Sequence, residues 1–174
     1  MSSVDQLCPN CGLCCDSMLF ADVELRAGDD AKQLAKLGLS LKKKDPPLHG
    51  SGAASKGKIA FAQPCACFDG KWCGIYADRP KRCRLFECGL LKKVQAGEMG
   101  TSIALKKISR AKELAGRVND LLASFPVDEG VALSERYAQA MSEPVDLAAG
   151  TDRQGKLMRA YARLMDVLQK DFLR

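Results

Sequence analysis

The stretch CPNCGLCC, residues 8–15, places four cysteines in eight positions. Ordinary core packing uses cysteine singly, as a small hydrophobe. Four thiols this close ask for chemistry instead. Cys8, Cys11 and Cys14 are each separated by two residues, and Cys15 follows at once. A C-x2-C step lets two thiolates converge on one metal through a tight turn, and Gly12 supplies backbone freedom after Cys11. Two consecutive steps give three ligands, the spacing that ferredoxins use for a [4Fe–4S] cluster whose fourth ligand is remote. Zinc sites more often use two separate pairs. Adjacent side chains in an extended segment point opposite ways, so Cys14 and Cys15 suit two centres better than one.

Outward from this run, five more cysteines follow: Cys65, Cys67, Cys73, Cys83 and Cys88. Four near thiols and four remote ones would fill two tetrahedral zinc sites or two cubane clusters, and the spacing does not choose between them. Nine is an odd number, which suits a closed disulfide framework poorly. The first residues, MSSVDQLCPN, show no basic segment leading into an apolar one, and no apolar run nears the roughly 18 residues that span a bilayer. The expectation is a cytoplasmic protein with reduced thiols and no membrane partner.

The 174 residues suit one ordinary domain, long enough to bury a core without staples. Aromatic residues are few, with one tryptophan, which favours Leu/Ala-rich helices. The expected fold is mainly α with an irregular cysteine-rich metal-binding module and few short strands. The net charge is +6, and the excess lies in residues 1–95, with 15 basic and 10 acidic side chains against 12 and 11 in residues 96–174.

Along the chain, SMLFADVEL reads as a short strand and Gly28 breaks it. Asp29 or Asp30 caps a short helix, AKQLAKLG, closed by Gly38. Residues 39–58, rich in Pro, Gly, Ser and Lys, read as a loop, with LKKK at 41–44 a solvated charge run. KIAF at 58–61 reads as a strand. Asp69-Gly70 is a turn signal, and Asp78 caps a helix with Pro80 near its first position, running on to about Gln95. Three helices follow. The first carries Ala104, Ile108, Ala111, Ala115, Val118 and Leu122 as one stripe and ends before Pro126. The second, at 130–142, uses Val131, Leu133, Tyr137 and Met141. The last uses Leu157, Tyr161, Leu164, Met165, Leu168 and Phe172. This divides the chain into a cysteine-cluster module at 1–95 and a helical subdomain at 96–174, packed as one compact unit.

These residues resemble the YkgJ-like cysteine-cluster family, also called the CxxCxxCC zinc- or iron-chelating domain. The resemblance rests on CPNCGLCC at 8–15, the C-x7-C spacing of Cys65 and Cys73, and GIYADRPKRCRLFEC at 74–88. It covers roughly residues 8–95. It implies metal chelation by Cys8, Cys11, Cys14, Cys15, Cys65, Cys73, Cys83 and Cys88, with iron or Zn2+ as cofactor, and the spacing adds [4Fe–4S] as a form of the iron. Cys67 lies outside the pattern. The segment between Cys73 and Ile75 is shorter here than in the family, while Ile75-Tyr76 and Arg79-Pro80 align.

The remaining candidates are plainer. Ile75, Tyr76, Arg79 and Pro80 read as scaffold beside the ligands. Alternatively Arg79, Lys81, Arg82 and Arg84 offset thiolate charge, since four thiolates on one Zn2+ leave a net −2. No aromatic residues interleave with the basic ones, which argues against nucleic acid. His49, the single histidine, reads as solvated in its Gly/Pro-rich loop, and nothing orients it as a base for a cysteine nucleophile. Lys107, Arg110 and Arg117 fall on the polar face of the long helix, as on any solvated helix, and the same face would serve a protein partner as a docking surface. No phosphate loop, nucleophile elbow or carboxylate pair appears, which points away from catalysis. Two classes remain: a redox or metal-dependent accessory protein, or a structural zinc module for protein–protein interaction.

Overall fold

The computed structural model describes residues 3–44, 58–142, 144 and 152–173. His49 and the middle of the 39–58 stretch lie outside these residues. The fold is mainly α with one small sheet, as the composition implies. The elements run α1 (Ser3–Cys11), β1 (Asp22–Glu24), α2 (Ala31–Lys36), β2 (Leu41–Lys43), β3 (Ile59–Ala62), α3 (Lys81–Leu85), α4 (Gly89–Gln95), α5 (Thr101–Leu122), α6 (Leu133–Ser142) and α7 (Arg153–Val167). A π-helical turn, Leu168–Phe172, ends the chain.

α5 is the central post. Its buried stripe is Ala104, Ile108, Ala111, Leu114, Ala115, Val118 and Leu122, the expected set with Leu114 added. Three of these, Ala104, Ala111 and Val118, are fully buried, and their small size lets α1 and α7 approach. Leu157, Leu164, Leu168 and Phe172 close the core from α7 and its terminal turn, and Leu7 and Leu13 enter it from the cysteine run. Tyr137 of α6 stacks on Tyr161 of α7 with centroids 3.8 Å apart. α6 begins at Leu133 rather than 130, and its first amide donates to the buried Ser17 hydroxyl at 3.3 Å.

The sheet has β3 in the middle, antiparallel to both neighbours, in the order β1-β3-β2. Its register pairs Val23 with Phe61 and Leu41 with Phe61. Val23 and Phe61 turn inward and bury against Leu34 of α2, Leu39, Cys65 and Ile75, making a second core. Asp30 caps α2 as expected, accepting from the Gln33 amide at 3.0 Å. Three expectations change. The lysine run at 41–43 is strand β2, not loop, and Lys44 pairs with Asp22 at 2.9 Å and with Glu24 at 3.2 Å. Asp78 does not cap α3; Pro80 stands at the cap, and Asp29, far back in the chain, accepts from the Lys81 amide at 2.9 Å. The helix expected through Gln95 breaks between Leu85 and Gly89. There Cys88 sits at the cap of α4, its sulfur accepting from the Leu91 amide at 3.4 Å.

Candidate metal centre

The run expected to be a plain turn begins as helix. Cys8 and Cys11 lie three apart in the last turn of α1 and so share a face. Pro9 has no amide hydrogen to give to that turn, and the helix stops at Cys11. Gly12 then takes φ +71°, the left-handed conformation that ends helices at low cost. A second requirement bears on the same residue: a Cβ at Gly12 would stand 2.5 Å from the Phe68 ring. Phe68 thus lies directly over the first cysteine turn, bringing the second cysteine segment to it. The Cys15 and Asp16 amides both donate to the Gly12 carbonyl, at 2.8 and 3.0 Å, and wind the chain round so that Cys14 and Cys15 follow closely.

The second segment is fastened there by its backbone. The Cys65 amide donates to the Cys15 carbonyl at 2.8 Å. Phe68 and Cys73 form a lone antiparallel bridge, closed by Asp69, whose carboxylate accepts from the Lys71 and Trp72 amides at 2.8 and 2.5 Å. This is the turn read at Asp69-Gly70.

The result is a cavity of about 290 Å³ between the two cores. Cys8, Cys11, Cys14 and Cys15 line it, as do Cys65, Cys73, Cys83 and Cys88; Cys67 does not. None of the nine cysteines is in a disulfide. The Cys67 thiol donates instead to the Leu37 carbonyl at 3.4 Å. Among the described residues, no three His, Cys, Asp or Glu side chains are drawn tightly enough to form a group that could hold an ion.

Burial dominates their chemistry. It pushes Cys11, Cys15 and Cys83 up to about 12 and Cys65 up to about 11, with neighbouring thiols adding to the rise. Cys14 is raised well above the ordinary value for the same reason; as a residue it is half-buried, but its sulfur is enclosed. Two cations act the other way. Arg79 lowers Cys83, and Lys112 of α5 lowers Cys11. Arg79 is held by its Nε donating to the Tyr76 carbonyl at 2.9 Å, with its guanidinium 3.6 Å from the Tyr76 ring centre. Trp72 stacks on Tyr76 with centroids 6.0 Å apart and is half exposed. Arg79 and Tyr76 thus hold each other beside Cys83, the thiol that the Arg79 charge lowers. Lys81 is committed elsewhere, to the Ala27 carbonyl at 2.8 Å, and Arg84 is exposed.

Lys112 had no sequence signal: it donates to the Asn10 carbonyl at 2.9 Å across 102 residues. Gln63 is equally hidden in the sequence. It is 2% exposed, it lines the cavity, and its side-chain oxygen has no partner. Besides the eight thiols and apolar side chains, the lining carries the carboxylates of Asp22 and Glu24, the cations Lys44, Lys71, Arg79 and Arg82, and the unpaired Gln63 amide oxygen, and a donor set dominated by sulfur fits a thiolate-bound metal.

Comparison with known proteins agrees with this chemistry. A family model described as "CxxCxxCC: Putative zinc- or iron-chelating domain" matches residues 7–102, more than half of the chain. No curated protein and no solved structure matches the chain. No helix among the described residues is long and apolar enough to cross a membrane.

Proposed function

Because the chain belongs to the CxxCxxCC family, a zinc- or iron-chelating family, we propose that it holds iron through its eight cavity-lining thiols, in iron–sulfur form, and works as a redox or metal-dependent accessory protein. The observation that carries this reading is the cavity itself. At about 290 Å³ it is far roomier than bare ions require, since a single water needs only roughly 15 Å³ of such space. Eight thiols round a space of this size leave room for an inorganic core of iron and sulfide beside the sulfurs. When bound, such a centre supplies one-electron transfer.

The chain's own residues serve that role in three ways. The thiols must give up protons to become ligands, and Lys112 and Arg79 favour the thiolate form at Cys11 and Cys83. Apolar side chains from both cores cover part of the space around the sulfurs. Arg79, fixed over Tyr76, offsets the negative charge that thiolate ligation brings.

The test is anaerobic purification, then elemental analysis and an absorption spectrum of one sample. Iron with acid-labile sulfide and a broad visible absorption supports the reading, and redox titration follows. Colourless protein with zinc overturns it in favour of a structural zinc module that serves protein–protein contact.

A further inference from the structure

The eight thiols are not one undivided group. Cys8, Cys11 and Cys88 pack against the helical core around α5, whereas Cys15, Cys65, Cys73 and Cys83 belong to the core under the sheet. Only Cys14 belongs to neither. Its strongest thiol neighbours are Cys11 and then Cys88, ahead of its bonded neighbour Cys15, with Cys8 after it. Cys15 faces the opposite way: Cys65, Cys73 and Cys83 all act on it more strongly than Cys11 does. Cys11 responds to Cys88 and Cys8, and Cys83 to Cys65 and Cys73.

The backbone divides along the same line. α1 packs on α4, whose cap is Cys88, which brings Cys88 to Cys8 and Cys11. The Cys15 carbonyl is bonded to the Cys65 amide, and Cys73 is tied to the same loop through Phe68. Each side also has one cation, Lys112 beside Cys11 and Arg79 beside Cys83.

Resting on the metal-chelation reading above, we infer that the protein holds two separate metal centres, one on Cys8, Cys11, Cys14 and Cys88 and the other on Cys15, Cys65, Cys73 and Cys83, with the Cys14–Cys15 peptide as the boundary. The first centre joins the first cysteine run to the helical core. The second joins it to the sheet. Each set has four sulfurs, enough to complete a tetrahedral ion or to bind the four irons of a cubane. Cys67, two residues from Cys65 and in side-chain contact with it, also donates to the Leu37 carbonyl and does not line the cavity, and it stays outside both.

Iron, zinc and acid-labile sulfide are measured on the anaerobically purified wild type, Cys88→Ser, Cys73→Ser and the double variant, with circular dichroism to check each fold. The expected result is that each single variant keeps about half of the wild-type metal and the double variant keeps none. A wild type with no metal overturns the chelation reading itself. A loaded wild type in which either single variant loses all its metal, or in which the double loses no more than a single, overturns the partition alone. Should a variant fail to fold, cobalt(II) titrated into the metal-free wild type decides. Two equivalents, each with a tetrahedral four-thiolate spectrum, support two centres. One equivalent, or spectra of thiolates shared between ions, overturns them.

Discussion

Gly12 carries two constraints at one atom. Its φ of +71° disfavours any side chain, and the Phe68 ring occupies the space where a Cβ would stand. Gly12→Ala is therefore expected to cost about 1–3 kcal/mol, read by urea unfolding of the loaded protein. Retained stability with full metal content would show that Phe68 moves aside freely. Cys67 makes the opposite prediction. Its thiol donates to the Leu37 carbonyl and, though in contact with Cys65, does not line the cavity, so Cys67→Ser should leave metal content unchanged, by elemental analysis. Equal metal loss in Cys67→Ser and Cys11→Ser would remove the distinction. The cysteines were visible as candidates in the sequence because their spacing is improbable by chance. Lys112 and Gln63 were not, because a lysine on a helix and a glutamine before a proline look ordinary until chain folding places them at the cavity.

Elements were legible where their causes are local. The α5 stripe repeats at helical spacing, and Asp30 caps α2 within three residues. Where the cause is distant, local reading failed. β2 is a lysine-rich edge whose Lys44 answers Asp22 and Glu24 on β1, some twenty residues earlier. α1 contains Pro9 and stops at Gly12, both signals of irregular chain, yet Lys112 holds its last turn at the Asn10 carbonyl. α3 takes its cap from Asp29 rather than from Asp78. Lys107 likewise proved to be more than part of a solvated face. It reaches Asp171 in the terminal turn at 2.8 Å, where the carboxylate is mostly buried. Asp171→Asn should lower stability by about 2 kcal/mol, because a charge-assisted bond becomes a weaker one. An unchanged thermal midpoint would mean that the terminal turn is held by Leu168 and Phe172 alone.

At the scale of the molecule, the two cores meet around the cysteine cavity, so metal and fold should depend on each other. Removing the metal with a chelator under reducing conditions is expected to lower the unfolding midpoint of the whole chain. The metal-free protein should also respond to alkali. The folded-state thiols of Cys11, Cys15 and Cys83 rise from about 9 to about 12 because they are buried. Folding therefore favours their protonated form. That stability is complete below pH 9 and is lost as pH climbs from about 9 towards 12. Urea midpoints of the metal-free protein at pH 8 and pH 10 check this: the second should be lower, and an equal or higher value would contradict it.

The chain has one tryptophan, and it adjoins Cys73 at the rim of the cavity, stacked on Tyr76 and half open to water. Its fluorescence is thus a built-in lamp beside the sheet-side thiols. Iron bound there would quench the emission, whereas colourless zinc would alter it only through small movements of the ring. Loading at the two ends of the cavity could then be timed separately, with Trp72 emission following one end and total metal uptake counting both.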